Sequence, residues 1–420
     1  MKIKTLALCF LAFFLCTSLA DCKNNQKLSY NDFIKASGKS LRTEYGKGVE
    51  VFLRGVNAGG LMIQEFWMCL TENTKNVSCH SELLDILNKR FGSEKTKELE
   101  NFYQDNYWTL QDFDNCSRLG FNCIRLPVWY KNIVKEDGTL KEDAWAKLDW
   151  FVQNAGARGI YVIIDMHGTP GSQNGSDHSG VDGKENKEKA SQFFWGENAK
   201  ENQELFYYIW EQIALHFKGN PVVAGYDLLN EPFCTYRYNS SYSEKYLHNL
   251  LWNIYDIAYK RIRAIDNNHI IIMEATWDAS DLPNPEAFGW ENVMYEYHNY
   301  LYDDYFNKNG KQIANMNKKI RGINARNYNV PSLLGEFNYM SENKTWEEGL
   351  RLLDNSKLNW TMWTYKTSVN NGNWGLFHHT AMNKVNIETD SFEEIKRKWT
   401  NVQTTSENTE LTKVFLRHLQ

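Results

Sequence analysis

Two glutamates, each at the end of a short apolar run, are the residues of this chain whose type and setting best suit chemistry. Glu231 lies in Asn230-Glu231-Pro232, and Glu336 follows Gly335. Paired carboxyl groups can cleave a glycosidic bond, because one protonates the leaving oxygen while the other attacks the sugar or activates water. Asn230 could hydrogen-bond a sugar hydroxyl beside that bond. Pro232 disfavours helix at the preceding residue, so we expect Glu231 to have an extended strand-end conformation.

Other apolar runs of the chain also end in polar or aromatic residues. These are Arg125, His167, His298 with Tyr300, and Trp363. An arginine would hold a neighbouring carboxylate ionised and so lower the pKa of a nucleophile. Trp363 could form the floor on which a sugar ring stacks. Taken singly, a strand-end glutamate is more often an ion-pair partner and a tryptophan more often a core residue, but the joint pattern favours a catalytic site.

The elements that must position these residues are eight short apolar runs separated by stretches of helical period. Several runs are continuous rather than alternating, as expected of parallel strands covered on both faces. Strand and helix alternating eight times indicate an α/β protein, a (β/α)8 TIM barrel in a single domain with extended βα loops. An open doubly wound sheet is the alternative, but no Gly-x-Gly-x-x-Gly follows the first strand. The predicted strands are Val51–Val56, Asn122–Val128, Ile160–Met166, Val222–Leu229, Ile270–Ala275, Val293–Tyr297, Ser332–Phe337 and Trp360–Tyr365, and the clearest predicted helices are Trp145–Ala157, Gln203–Phe217 and Tyr246–Ile265.

The barrel rule places the active site at the C-terminal ends of the strands, where all the residues above would share one rim. A hairpin between Leu41 and Asn57 is expected to lead into the first strand. We assign residues 1–20 to a signal peptide, 21–40 to an N-terminal polar segment, 41–400 to the barrel domain and 401–420 to a C-terminal tail. The last helix is predicted at Ser391–Trp399, and the tail either packs back on the barrel or frays.

The first residues of the chain are typical of a secretory signal peptide. Lys2 and Lys4 precede the apolar run Leu6–Leu15, and small residues permit cleavage after Ala20. We therefore expect a secreted, extracellular protein. No later segment approaches about 18 consecutive apolar residues, so no stable membrane insertion is expected. The net charge of -5 gives no general reason to bind nucleic acid, and we expect a monomer with an oligo- or polysaccharide as its partner.

Cysteines and glycosylation sequons fit a secretory route. Six of the eight cysteines lie beyond residue 20, and an even number in an oxidising compartment suggests disulfide bonds. Cys69 with Cys79 is the favoured pair, since both lie in one loop-like stretch. Asn359 enters a predicted buried strand and is expected not to be modified. The six cysteines are Cys22, Cys69, Cys79, Cys116, Cys123 and Cys234, and the Asn-x-Ser/Thr sequons begin at Asn76, Asn115, Asn174, Asn239, Asn343 and Asn359.

Other classes of chemistry find little support in the sequence. No His-Glu-x-x-His or Cys-x-x-Cys spacing is present, so no metal is expected. No Gly-x-Ser-x-Gly motif suggests a serine hydrolase, and no phosphate-binding glycine loop suggests a nucleotide. We expect no cofactor.

In combination, these motifs resemble family 5 of the glycoside hydrolases, the large cellulase and β-glucanase family of retaining enzymes on a (β/α)8 barrel. The resemblance runs from Leu53 to Lys366, and every position of the core set stands in the family's order. It implies that Glu231 is the acid/base and Glu336 the nucleophile. It also implies that His298 contacts Glu231 and that Tyr300, on the same face of the strand, contacts Glu336.

A loop after the third predicted strand narrows the resemblance. The segment His167–Gly180 is similar to the His-Gly-Ala-Pro-Gly-Ser-Gln-Asn-Gly stretch of exo-β-1,3-glucanases in the same family. Its glycines allow a close-approaching loop, which is either a binding loop or a polar surface loop. The sequence departs from that subgroup after Trp363, although it keeps a second tryptophan, Trp374, as a candidate substrate-binding residue. The loop offers hydroxyl-binding groups at Gln173, Asn174, Asp177 and His178, and the candidates for further sugar platforms are Trp67, Trp129, Trp195, Trp277 and Trp374.

The sequence thus predicts a secreted retaining glycoside hydrolase that cleaves β-1,3- or β-1,4-linked glucan by double displacement with two glutamates. A glycolipid or steryl β-glucosidase on the same barrel is the alternative within enzymes, and it requires an apolar trough beside the carboxylates. A barrel that binds carbohydrate without catalysis is a third hypothesis, which the intact pair of glutamates disfavours.

Overall fold

The computed structural model describes residues 27–184, 186–233, 242–275, 277–302 and 310–420. The predicted signal peptide, Cys22, Cys234 and the sequon at Asn239 lie outside these residues. The strands are β1 Lys35–Ser37, β2 Ser40–Arg42, β3 Glu50–Val51, β4 Arg54–Asn57, β5 Cys123–Trp129, β6 Tyr161–Gly168, β7 Val223–Asp227, β8 Ile270–Glu274, β9 Val293–Asn299, β10 Ser332–Phe337, β11 Asn359–Met362, β12 Lys366–Ser368, β13 Phe377–His379 and β14 Ser406–Glu407.

Strands β4 to β11 pair in parallel and close into a barrel in the order β10-β11-β4-β5-β6-β7-β8-β9. Each of the eight predicted apolar runs overlaps one barrel strand, so the predicted α/β (β/α)8 fold is confirmed. Runs such as Ile270–Glu274 are buried throughout, because helices cover one face of the sheet and the barrel interior covers the other. The predicted hairpin is also present, since β2 pairs antiparallel with β3.

The helical layer ends later in the chain than predicted. A final helix, Thr409–Leu419, packs between the helices Asn343–Asn355 and Leu110–Leu119 and buries Phe415 completely. The prediction of Ser391–Trp399 as the last helix is therefore wrong, and residues 409–419 pack back on the barrel. The helices of eight or more residues are α1 His80–Phe91, α2 Ser93–Tyr107, α3 Leu110–Leu119, α4 Ala146–Gly156, α5 Ala199–Phe217, α6 Glu244–Ile265, α7 Lys311–Arg326, α8 Asn343–Asn355, α9 Phe392–Trp399 and α10 Thr409–Leu419.

One connection of the barrel departs from strand-helix alternation. Between β8 and β9, the described residues contain only the short 3₁₀ turns Ala279–Asp281 and Pro285–Ala287. Prolines at two places in this stretch and the side-chain caps of Asp278 and Asn284 favour tight turns over a helix.

The barrel interior is divided into an apolar lower layer and a charged upper layer. Inward-facing side chains along a strand recur every second residue, so Ile163, Asp165 and His167 of β6 rise in steps from the bottom of the barrel to its C-terminal rim. Ile34, just before β1, and Leu41 of β2 close the bottom against the lower layer. The buried side chains of this lower cluster are Ile34, Leu41, Leu53, Cys123, Tyr161, Ile163, Ala224, Ile270, Ile272, Met294 and Leu333.

The cysteines are not paired as predicted. Cys69 and Cys79 are both buried as free thiols, as are Cys116 and Cys123. Cys69 is engaged elsewhere in the core, where its sulfur accepts a hydrogen bond from the Tyr103 hydroxyl at 3.1 Å. Cys79 lies directly before α1.

The sequons differ in accessibility. Asn115, Asn174 and Asn359 are buried, which agrees with the expectation that Asn359 is not modified. Asn76 is exposed and Asn343 is half-buried.

Candidate active site

The nine residues predicted to form the site come together at the C-terminal ends of the barrel strands. Seven of them line a pocket of about 300 Å³. The other two, Arg125 and His298, are buried directly beneath it and contact the pocket glutamates Glu336 and Glu231, respectively. The pocket is lined by Glu65, Trp67, His167, His178, Asn230, Glu231, Tyr300, Tyr302, Glu336, Trp363 and Trp374.

Two hydrogen-bond donors hold the carboxylate of Glu336. Arg125 Nη1 donates to its Oε1 at 3.0 Å, and the Tyr300 hydroxyl donates to its Oε2 at 2.8 Å. Burial, and then the charge of Glu336, raise the pKa of Tyr300 well above its usual value, so this hydroxyl keeps its proton. A guanidinium is charged at every ordinary pH. Arg125 and Tyr300 therefore fix the orientation of the Glu336 carboxylate from two sides.

Arg125 is the cation of a buried charged layer directly below the pocket. Its Nε donates to Asp227 at 2.8 Å and lies 3.1 Å from Glu296 Oε1, and its Nη2 donates to Asn230 Oδ1 at 2.9 Å. Nη1 also lies 3.1 Å from Asp165 Oδ2. Because a buried charge is costly unless it is paired, these carboxylates account for the complete burial of Arg125. The network also fixes the side chains on which both glutamates rest.

The acids of this layer are functional residues that the sequence reasoning missed. Asp165 and Glu296 lie two residues before His167 and His298, and this spacing places each pair on one face of its strand. That period of two was the available signal. Gly335 makes room for the layer, since an added Cβ would lie 1.4 Å from Glu296 Oε1.

The main chain of Glu231 has a left-handed conformation, with a φ of 44°. Its N–H donates to Glu274 Oε2 at 2.7 Å, and its carbonyl accepts from Asn174 Nδ2 at 3.2 Å. The expectation of an extended conformation from Pro232 is therefore wrong. Proline disfavours only the right-handed helical region for the residue before it, and the two hydrogen bonds hold the uncommon left-handed alternative.

Two histidines contact the carboxylate of Glu231. His298 Nδ1 donates to Oε1 at 2.9 Å, and His178 Nε2 lies 3.4 Å from Oε2. Burial alone would raise the pKa of Glu231, but the hydrogen bond from His298 and the charges of both histidines lower it to about 2. Burial would likewise lower the pKa of His298, but Glu274 and Glu336 raise it well above its usual value. In the substrate-free site, Glu231 is an anion beside a protonated His298.

Trp363 and His167 form one wall of the pocket. Their rings are stacked, with centroids 5.4 Å apart and planes 6° apart. His167 donates from Nδ1 to Asp165 Oδ2 at 2.7 Å, and burial lowers the pKa of His167 well below its usual value, so this imidazole is neutral. The wall offers an aromatic face next to the two glutamates.

The mouth of the pocket is aromatic. Trp374 lies 5.1 Å from Trp67 and 6.4 Å from Tyr302 between ring centroids, and Tyr302 stacks on Tyr300 at 5.6 Å. Tyr302 is 59% exposed. Trp67 and Trp374 thus stand where a sugar could contact them.

The other three candidate platforms are placed elsewhere. Trp129 is 1% exposed and stacks on His80 at 4.8 Å, so it packs the core and cannot meet a ligand. Trp195 stacks on Tyr242 at 5.3 Å, and neither it nor Trp277 lines the pocket described above.

The loop after β6 supports the site rather than simply covering it. Gln173 is fully buried and its amide donates to the carbonyls of His167 and Asn230 at 2.8 and 2.9 Å. Asn174 is also fully buried. Both side chains hydrogen-bond the segment that carries Glu231 and so hold it against β6 and its loop. His178, by contrast, faces the pocket.

Glu65 is a further carboxyl group in the pocket that the sequence reasoning did not single out. Its Oε2 accepts from Trp67 Nε1 at 2.8 Å. Burial and the nearby charge of Asp177 raise the pKa of Glu65 well above its usual value, so this group is protonated and can both donate and accept.

Within the described residues, two sets of side chains have ligand atoms close enough for a cation. They are Glu231, His298 and Glu336, and Glu274, Glu296 and His298. Their atoms are already engaged with Arg125, Tyr300, main-chain N–H groups and one another, so ion pairing accounts for both sets. The absence of a metal and of a cofactor stays a prediction from the sequence.

The family model for cellulase, glycosyl hydrolase family 5, matches residues 85–369. The chain belongs to glycosyl hydrolase family 5. The family model and the curated relatives it groups with carry the names of glycosidases. No helix in the described part of the chain is both long and apolar enough to cross a membrane.

The named relatives of this family 5 enzyme carry different sugar specificities. A β-xylosidase from Phanerodontia chrysosporium is 30% identical over 64% of this chain and 52% of its own length. A probable glucan 1,3-β-glucosidase A from Aspergillus clavatus is 26% identical over 60% of this chain and 56% of its own length. The chain thus spans about half the length of the curated relatives it matches. Among solved structures, a rutinosidase from Aspergillus niger has a TM-score of 0.59 at 16% identity and covers 76% of this chain and 90% of its own, a likeness of fold.

Proposed function

We propose that this family 5 enzyme is a retaining β-glucosidase or β-glucanase in which Glu231 is the acid/base and Glu336 the nucleophile. One observation carries the proposal: oxygens of the two carboxylates and a nitrogen of His298 all lie within 4.8 Å of one another. Retaining pairs are separated by about 5 to 5.5 Å, whereas inverting pairs need about 6.5 to 9.5 Å to admit a water molecule. The close spacing supports direct attack by a carboxylate.

In the first step, a carboxylate oxygen of Glu336 attacks the anomeric carbon as the bond to the leaving oxygen breaks. Glu231 gives that oxygen its proton, and a covalent glycosyl ester forms on Glu336. Arg125 and Tyr300 orient the attacking carboxylate, and the hydrogen bond from Tyr300 weakens as its negative charge is consumed. Asn230, held by Arg125, is placed to contact a hydroxyl next to the bond that breaks.

In the second step, water attacks the same carbon and Glu231 takes its proton. The ester bond breaks, Glu336 regains its charge, and the sugar leaves with its original anomeric configuration. The left-handed main chain of Glu231 is held in place by Glu274 and Asn174, so the same carboxyl group can serve on one face of the sugar in both steps.

For the substrate, we propose a β-1,3- or β-1,4-linked glucan. Support comes from the similarity of His167–Gly180 to the loop of exo-β-1,3-glucanases, and from the name of the Aspergillus clavatus relative. The β-xylosidase relative makes the matching xyloside the first competitor to test. A glycolipid or steryl aglycone is less well supported, because no aliphatic side chain is among the described residues that line the pocket.

The test is to incubate the protein with laminari-, cello- and xylo-oligosaccharides and a glucosylceramide, and to follow the first-formed anomer by NMR. We expect β-configured glucose or gluco-oligosaccharide from a glucan. An α-configured first product would overturn retention, and faster release of xylose than of glucose would overturn the glucan assignment. Glu336→Gln, purified in the same way, controls for contaminating glycosidases.

We also propose that the enzyme is secreted by cleavage after Ala20. The support is the charged and apolar pattern of residues 1–20. In a eukaryotic secretory host, the full chain should appear in the medium with a new N-terminus at Asp21, and a variant lacking residues 2–20 should stay in the cells. Retention of the full chain in the cells would contradict the proposal.

A further inference from the structure

His178 is a second histidine beside Glu231, the proposed acid/base. It contacts Oε2 of the Glu231 carboxylate, whereas His298 contacts Oε1. Its side chain is 18% exposed and lines the pocket, and its Nε2 lies 3.4 Å from Glu231 Oε2. His298, which contacts Oε1, is fully buried and has carboxylates on both ring nitrogens. His178 is therefore the histidine of the pair that substrate and solvent can reach.

The same nitrogen of His178 has a second partner. Asn174 Nδ2 lies 2.7 Å from His178 Nε2. Other bonds fix the orientation of this amide, because its Nδ2 also donates to the Glu231 carbonyl at 3.2 Å and its Oδ1 accepts from the Ser176 N–H at 3.0 Å. Asn174 therefore presents an N–H to His178, and Nε2 must accept with its lone pair. A ring nitrogen that accepts in this way carries no proton.

His178 Nε2 cannot serve both neighbours at once, since a bond to a Glu231 carboxylate requires an N–H on that nitrogen. We propose that His178 is a positioning residue that exchanges one proton with Glu231. With the proton on Nε2, His178 is a cation paired with the Glu231 anion. With the proton on Glu231 Oε2, His178 is neutral and Asn174 donates to the vacated lone pair. This inference rests on the proposed role of Glu231.

The exchange balances without any other reactant. The N–H bond of His178 breaks, an O–H bond forms on Glu231, and the hydrogen bond from Asn174 replaces the lost ion pair. The result is the protonated Glu231 that the first step consumes. The first step needs a protonated Glu231, whereas Glu231 is an anion in the substrate-free site. The exchange supplies the missing proton, because a partly exposed histidine can take a proton from solvent and pass it on.

Other titratable groups on the described elements around this pair bear on its pH response. The Glu336 carboxylate favours keeping a proton on the His178–Glu231 pair, whereas the protonated His298, and Arg125 beneath Glu336, oppose it. These groups are Asp177 on the same loop, Glu65 after β4, Asp165 and His167 on β6, Glu274 at the end of β8, His298 on β9 and Glu336 on β10.

The first test is the pH dependence of kcat/KM on laminari-oligosaccharides for His178→Gln and His178→Phe. Both variants remove a cation that stabilises the Glu231 anion, so the basic limb should move to higher pH by about one unit. Glutamine can still donate a hydrogen bond to Glu231, whereas phenylalanine cannot. A basic limb that stays in place in His178→Gln would overturn the proposal, since a neutral donor would then suffice.

The matched control is His216→Asn. His216 pairs with Asp149 at 2.7 Å with a side chain 28% exposed, and it lies at the C-terminal end of α5, on the opposite face of the barrel. Its variant should keep the wild-type profile. If wild type itself does not cleave β-glucosidic bonds while remaining folded, the proposed function fails, and that result differs from an unmoved limb in an active enzyme.

A second test does not depend on turnover. In ¹⁵N spectra of histidine-labelled protein, the His178 signals are those missing from His178→Gln. We expect the neutral form to carry its proton on Nδ1, and we expect its titration to shift when Glu231 is replaced by Gln. A neutral form protonated on Nε2, or a titration that ignores Glu231→Gln, would overturn the exchange.

Discussion

The two glutamates of the pocket are chemically identical but have opposite kinds of support. Glu336 is held by an arginine and a tyrosine, whose protons do not leave at ordinary pH. Glu231 is contacted by two histidines: the buried His298 keeps its proton, and the partly exposed His178 is the one that we propose exchanges a proton with Glu231. A nucleophile needs the same charge at every turnover, whereas an acid/base must lose and regain a proton. Under the roles proposed above, neighbouring side chains alone would give one residue type two different functions.

Removing each glutamate should have the largest effect and should separate the two roles. We expect Glu336→Gly and Glu231→Gly each to lower kcat on a laminari-oligosaccharide by at least about 10³-fold. With a dinitrophenyl β-glucoside and azide, Glu336→Gly should form the α-glucosyl azide, because azide replaces the nucleophile. Glu231→Gly should form the β-glucosyl azide, because azide intercepts the intermediate. Reversed products, identified by NMR, would reverse the two assignments.

The contacts of Glu231 with the two histidines should also affect the free energy of unfolding. Since the folded-state pKa of Glu231 is lowered to about 2 from its usual value of 4.5, its anion contributes stability above about pH 4.5 that is lost as the pH falls toward 2. The free energy of unfolding of wild type should exceed that of Glu231→Gln near neutral pH by an amount on the order of 3 kcal/mol, and this difference should shrink with acidification. Urea unfolding at several pH values measures it, and a difference that grows toward low pH would contradict this account of the pair.

A smaller effect is expected from Tyr300→Phe, which removes one donor from Glu336 and touches nothing on Glu231. We expect kcat to fall by about 10- to 100-fold, in the range for losing one hydrogen bond to a reacting oxygen. The basic limb of the pH profile should stay where it is in wild type. A shifted basic limb in Tyr300→Phe would show that the two halves of the site are coupled more closely than the contacts indicate.

Much of the barrel could be predicted because its strands are continuous apolar runs with no competing pattern. The strand-end residues followed from the barrel rule, which assigns the chemistry of any such barrel to the rim at the C-terminal ends of its strands. The charged layer was missed because a single acid in an apolar run, such as Asp227 or Glu274, does not indicate a partner. Only closure of the barrel brings Asp227 to Arg125 and Glu274 to His298. The left-handed main chain of Glu231 was missed because its two hydrogen-bond partners, Glu274 and Asn174, come from distant parts of the sequence.

The helical layer was predicted less well at its end. α10 begins after Ser406–Glu407 in a stretch with no preceding apolar strand, so strand-helix alternation gave no reason to expect it. Its place was decided by packing: α10 lies between α8 and α3, and Phe415 packs against Phe121, Trp346 of α8 and Trp360 of β11.

The late position of α10 in the sequence affects how the barrel can fold while the chain is being synthesised. The seam between β4 and β11 joins strands about 300 residues apart in sequence, and its covering helix, residues 409–419, is translated after both. A chain emerging from the ribosome therefore carries β4 unpaired on one side until β11 appears, and the pair stays uncovered until α10 follows. Packing of this side of the barrel can therefore be completed only after residues 409–419 have been synthesised.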